Sequence, residues 1–237
     1  MWRVKILTTL PKFYSAIFNE SLYVRAVNEK LWDYQIANIR DYAMDSYHTI
    51  DDTPYGGGGG MVLKADVVGD AIEDFFEPNQ QIYYLSPKGK HLSQTMAREI
   101  VGTQKVLNVL CARFEGIDQR VIQKYKIVEI SIGDFILTNG DLAALALIDA
   151  CLRFIPGFLG NKNVHQEESF GAGVYKHLLE YPHYTKPHFW QGEEVPSILL
   201  SGHHEKILQW RLDMAKKLTK IRRPDLWQKH LKHQKDE

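Results

Sequence analysis

The chain has 237 residues, 44% of them apolar, which excludes wholesale disorder and allows one large domain, or a domain of ~150 residues with a smaller companion. The formal charge is zero, yet from His203 onward ten Lys or Arg stand against five Asp or Glu, so that end carries +5 and residues 1–202 carry −5. A basic end suits an anionic partner or a solvated helix face, and charge alone leaves both open.

Residues 2–10 are expected as a first strand; Arg3 and Lys5 fall where an export signal would need an apolar core. Helical spacing follows to about Leu31, then Asp33 to Ile39 alternates as a second strand. A polar loop from Ser46 leads through Asp51-Asp52-Thr53-Pro54-Tyr55 to five glycines, Gly56 to Gly60. Leu63 to Phe76 has helical spacing, and Gln81 to Leu85 reads as a strand ending in the turn Ser86-Pro87-Lys88-Gly89. His91 to Val101 suits a helix, and Lys105 to Cys111 a further strand running into Arg113-Phe114-Glu115-Gly116. Ile130 and Ile132 mark a short strand before the turn Thr138-Asn139-Gly140, after which Asp141 is placed to cap a helix. That helix, Leu142 to Phe154, is apolar nearly all round, so it belongs in a core or against another subunit. Asp149 and Arg153 break the run, which is too short to span a bilayer. Cys111 and Cys151 each sit inside an apolar run and read as small buried hydrophobes in a reducing compartment, with no disulfide framework or zinc site.

Strands alternating with helices predict an α/β fold: a mainly parallel sheet with helices on both faces. Ligands of such sheets sit at the carboxyl ends of the strands, and the loops 86–89, 113–116 and 133–140 all follow expected strands. Periodicity is lost between Gly157 and Phe170, where Asn161, Lys162, Asn163 and the charged group 165–168 read as a linker. A smaller helical region follows; its clearest helix runs from about His203, expected to cap it, to Lys220, and Pro224 ends or restarts a helix. The glycine run lacks the ending of a P-loop and, on composition, reads as a flexible loop.

Taken in order, DDTPYGGGGGMV, YYLSPKG, LCARFEGIDQRV, EISIGDFILTNGDLAALALIDACLRFIPGFLG, EESF, LLEYPHYTKP, VPSILLSGHH and RRPDL make the chain similar to one family along nearly its whole length. It resembles the bacterial tRNA (guanine-N(1)-)-methyltransferase family, TrmD, of the knotted SPOUT methyltransferases. The resemblance implies a cofactor-binding catalytic domain over 1–157 with a C-terminal trefoil knot, a linker over 158–170, and a helical tRNA-binding domain over 171–237. It implies S-adenosylmethionine held by Tyr84, Leu85, Ser86, Pro87, Gly89, Ala112, Glu115, Gly116, Ile132, Gly133, Phe135, Leu137, Asn139 and Gly140, mostly through backbone. The family usually has Gln where this chain has Lys88, and commonly glycine at the positions of Ala112 and Asn139. Substrate contacts fall to Pro54, Gly56, Gly57, Ser169, Tyr184 and Lys186. A homodimer with a shared active site, dependence on magnesium at no dedicated cage, a cytoplasmic location, and no membrane or DNA partner complete the implied picture.

The implied reaction methylates N1 of the guanosine just 3′ of the anticodon, a mark that supports the reading frame. N1 carries a proton at neutral pH, so a carboxylate must remove it and a cation must steady the charge that spreads to the carbonyl oxygen. The resemblance gives these roles to Glu168 and Arg153; read from composition, the first is a solvated acid and the second a helix-end cation. The usual base is Asp, and the extra methylene of Glu168 favours, as a rival, a catalytically weak tRNA-binding member. Lys216, Lys217, Lys220, Arg222 and Arg223 would meet RNA backbone.

Overall fold

The computed structural model describes residues 1–160 and 164–236, in two compact units, Met1–Gly160 and Asn161–Glu237. The linker expectation for Asn161, Lys162 and Asn163 lies outside the described residues.

In the first unit, β1 (Trp2–Thr8) leads to α1 (Lys12–Phe18), α2 (Ser21–Asn28) and β2 (Trp32–Asn38). The short strands β3 (Asp51–Asp52) and β4 (Val62–Leu63) flank the glycine run and precede α3 (Ala65–Phe75). Then come β5 (Ile82–His91), α4 (Gln94–Thr103), β6 (Val106–Leu110), α5 (Gln119–Lys124), β7 (Val128–Ser131) and α6 (Asp141–Leu152). Five strands form one sheet in the order β2-β1-β6-β5-β7, parallel at every pairing. The expected mainly parallel sheet is therefore present.

Period-two alternation divides the strands' apolar residues between two cores. Val4, Ile6, Tyr83, Leu85, Leu107 and Val109 pack with residues of α1, α2, α4 and α6. Leu7, Ile82, Tyr84 and Leu110 pack with residues of α3 and α5 on the opposite face. Fully buried Trp32 and Phe18 meet edge to face at 5.1 Å in the first core.

Several expectations need correcting. The helical spacing expected up to about Leu31 is divided between two helices, with Asn19-Glu20 between them and Ser21 at a left-handed φ of 47° where α2 begins. The stretch Ser86–Gly89 bows out of β5 without ending it: Ile130 of β7 faces both Leu85 and Lys90. Asp141 does not cap α6 with its side chain, which turns inward and is 1% exposed; Gly140 holds the cap position, and Asn139 Oδ1 accepts from the Asp141 amide at 3.0 Å. The six-residue α5, where Asp118 Oδ1 accepts from the Arg120 amide at 2.8 Å, was too short to show periodicity.

The second unit holds α7 (Val164–Glu167), a 3-10 turn at Gly173–Tyr175, the hairpin β8 (Phe189–Trp190) and β9 (Glu193–Glu194), and α8 (Ser197–Leu200). It ends with α9 (His204–Arg222) and α10 (Pro224–Asp236), so Pro224 restarts a helix. His203 sits at the cap of α9 without a side-chain bond to it. Tyr175, Leu178, Tyr181 and Ala215 are buried together with Leu212, Met214 and Trp227. Thr219 Oγ1 donates to Ala215 O at 2.7 Å and accepts from the Leu179 amide at 2.8 Å, fastening the 170s segment to α9.

Candidate functional site

The bow in β5 and the loops leaving β6 and β7, on three neighbouring strands, line a cavity of about 350 Å³. Every residue expected around a cofactor lines it except Gly89. Gly89 is instead where β5 passes so close to β7 that a Cβ would collide with the backbone of Glu129 and Ile130. The walls are tied by main chain: the Gly140 amide donates to Ala112 O at 3.0 Å, and the Gly116 amide to Arg113 O at 3.1 Å. Gly116 has a φ of 108°, and a Cβ there would stand 2.7 Å from the Tyr84 hydroxyl, so both the turn and the close approach require glycine. Phe114, at a φ of 59°, carries backbone strain beside it.

Two acids belong to this cavity. Glu115 stands so near Gly60 that a Cβ there would lie 2.5 Å from its Oε1, which brings the end of the glycine run against the cavity wall. Glu129, which sequence reasoning missed, also lines the cavity; its Oε1 is buried with no hydrogen-bond partner among the described residues. Glu129 is the second residue of β7, and an acid between apolar neighbours inside a short strand was the available signal. Burial, then the Glu129 charge, pushes the Tyr84 phenol up to about 12. A backbone-lined cavity with an orphaned carboxylate oxygen and a second acid fits a ligand that offers hydrogen-bond donors and a positive centre, as S-adenosylmethionine does.

Behind the cavity, Asp141 Oδ1 accepts from Thr8 Oγ1 at 2.6 Å and Tyr14 Oη at 2.9 Å, joining the end of β1, α1 and the start of α6. Burial raises its carboxyl above the usual value and outweighs these bonds. Pro54, Gly56 and Gly57 lie on the loop between β3 and β4, where the Gly57 amide donates to Pro54 O at 3.3 Å. Arg153 directly follows α6 and is half-buried.

The remaining expected residues belong to the second unit. Glu168, 14% exposed in its side chain, lies with Oε1 3.0 Å from His165 Nδ1. Ser169 Oγ accepts from the Glu180 amide at 2.9 Å, a bond that pins this turn to the EYPHYTKP segment. Tyr184 is 47% exposed and faces Trp210, ring centres 6.3 Å apart, while Lys186 is exposed. Among the described residues there is no group of three or more His, Cys, Asp or Glu that could hold a metal ion. Nor, among them, is any helix long and apolar enough to cross a membrane.

A parallel sheet with helices against it and a cavity beside the bow of β5 and the ends of β6 and β7 defines a protein of the α/β class, whose ligands sit at such places. The family model described as tRNA (Guanine-1)-methyltransferase matches residues 2–229, and the chain belongs to this family of methyltransferases. Among its relatives, the tRNA (guanine-N(1)-)-methyltransferase of Pelagibacter ubique is 45% identical, covering 98% of this chain and 100% of its own length. The protein of the same name from a Ruegeria species is 47% identical, covering 96% and 92%, and that of Wolbachia pipientis 44%, covering 95% of each.

Proposed function

We propose that the protein transfers a methyl group from S-adenosylmethionine to N1 of the guanosine immediately 3′ of the tRNA anticodon. The observation that carries this reading is the cavity beside the bow of β5 and the ends of β6 and β7, walled by the family's own motifs in a chain that matches the family almost throughout. When bound there, the cofactor supplies an electrophilic methyl group and a positive sulfonium. The amides and carbonyls of residues 84–88 and 132–140 would hold it, Glu129 Oε1 would accept one of its donors, and Glu115 would face its positive charge.

Glu168 removes the N1 proton, so that the N1–H bond breaks and its electron pair stays on the ring, free to accept the methyl group. Arg153 steadies the charge that spreads to the guanine carbonyl oxygen. Tyr184 and Lys186 take up a loop base and a phosphate, and the basic face of α9 takes up further backbone. In this reading the first unit, with a knotted C-terminal part, is the catalytic domain, residues 158–170 are the linker, and the helical second unit binds tRNA in the cytoplasm. A homodimer completes the site. Its support is the α6 surface: Leu142 is 48% exposed on a helix otherwise fit for a core, and Phe135 and Ile136 just before it are 54% and 81% exposed.

The test is transfer of a labelled methyl group to unmodified tRNA with guanosine after the anticodon, magnesium present. Glu168→Gln is expected to lower turnover by roughly 10²- to 10⁴-fold while tRNA binding stays intact. No transfer by the parent chain refutes the reading. The rival, a tRNA-binding member of weak activity, rests on the length of the Glu168 side chain and predicts a rate gain in Glu168→Asp.

A further inference from the structure

Adjacent carboxylates at Glu167 and Glu168 are held by different partners. Glu167 Oε2 accepts from Tyr181 Oη at 2.9 Å and from Arg211 Nη1 at 3.0 Å, and the Arg211 guanidinium lies 4.8 Å from the Tyr181 ring centre. That carboxylate anchors α7 to α9. Glu168 Oε1 lies instead 3.0 Å from His165 Nδ1. Main chain sets the spacing of this second pair, since the Ala172 amide donates to His165 O at 3.0 Å and the Gly171 amide to Glu168 O at 2.9 Å. An ionised carboxylate only accepts, so a neutral His165 carries its proton on Nδ1 and donates it to Oε1.

We infer that His165 is a positioning residue that clamps the Glu168 carboxylate for proton removal. The inference rests on Glu168 being the base. A glutamate carboxylate ends three rotatable bonds, and ordering such a side chain has an entropic cost. The His165 bond helps to order it in advance by fixing Oε1. The N1–H bond breaks, an O–H bond forms on the Glu168 carboxyl, and the electron pair stays on guanine. Oε1 still accepts from Nδ1 afterwards, so the clamp persists through the step and His165 itself moves no proton. Misplacement of a catalytic group by ~1 Å can cost ~100-fold, which makes a clamp of this kind visible in kcat.

The experiment is a kinetic cycle on the whole chain with S-adenosylmethionine and unmodified tRNA. His165→Ala is expected to lower kcat by about tenfold and leave KM for tRNA within about twofold, the pattern of a group that aids the reaction step and not binding. His165→Asn is expected to restore most of the rate, because its amide donates from near the Nδ1 position. In a Glu168→Asp background the shorter side chain withdraws from His165, so adding His165→Ala is expected to change kcat by less than about twofold. Undiminished kcat in His165→Ala, or an equal loss in both backgrounds, overturns the clamp. Parent-like turnover in Glu168→Gln overturns instead the assignment of the base on which the clamp depends.

Discussion

Gly116→Ala tests whether the cavity wall depends on backbone that only glycine adopts. A φ of 108° is rarely open to a side-chain-bearing residue, and holding alanine there costs about 1–3 kcal/mol. The new Cβ would also stand 2.7 Å from the Tyr84 hydroxyl, where ordinary contact begins at 3.4 Å, and Tyr84 is only 7% exposed, so its ring has little room to yield. Overpacking of this kind adds about 1 kcal/mol or more, for a total of about 3 kcal/mol. In a chain of this length that lowers Tm by about 6–12 °C. Calorimetric unfolding checks the loss, and titration with S-adenosylmethionine checks for weakened binding, since both residues wall the cavity. Adding Tyr84→Phe to Gly116→Ala is expected to recover the overpacking share, about 1 kcal/mol, and leave the backbone share. The control is Gly140→Ala, where the Cβ would meet Ala112 at an ordinary 3.5 Å without positive φ, so stability is expected to hold. If Gly116→Ala melts with the parent, or Tyr84→Phe recovers nothing, the reasoning fails.

Two further outcomes follow from charge. Burial raises the Asp141 carboxyl above its usual 3.8, so the folded chain holds that proton more tightly than the unfolded one. Its stabilising contribution is therefore full below about pH 3.8 and declines as pH rises through the folded value. Urea unfolding at pH 4 and pH 7 is expected to show Asp141→Asn gaining stability relative to the parent at the higher pH, and the opposite sign refutes the assignment. Lys186→Ala is expected to reduce the slope of log affinity for tRNA against log salt by about 0.7–0.9, while Tyr184→Ala costs about 1–3 kcal/mol of binding with the slope unchanged. Filter-binding titrations across salt concentrations separate the two, and identical effects would refute the division of roles.

Much of the sheet unit was legible because its signals are local. The apolar runs of Trp2–Thr8 and Val106–Leu110 and the uniform apolarity of α6 each follow from burial. The α5 helix was lost because six residues are too few for periodicity, and the hairpin at Phe189–Glu194 because two-residue strands carry no pattern. Asp141 misled because a helix-start acid looks the same whether it bonds the first amides or turns inward to Thr8 and Tyr14. The α/β rule pointed to the three loops at 86–89, 113–116 and 133–140, whereas the roles of individual cavity residues came only through motif resemblance. Glu129 and His165 escaped even that: the one is visible only through its orphaned oxygen, the other only through its bond to Glu168.

Both thiols of the chain lie in the sheet unit, at Cys111 and Cys151, each no more than 1% exposed. Burial pushes the Cys151 sulfhydryl up to about 12 and that of Cys111 well above its ordinary value, so neither reacts with an alkylating reagent while the sheet stays closed. Their labelling rate is thus a clock for opening of the sheet unit that holds them. A single cysteine introduced on α9 would turn the same reagent into a second, independent clock, and the ratio of the two would show whether the halves of the molecule come apart together or one at a time.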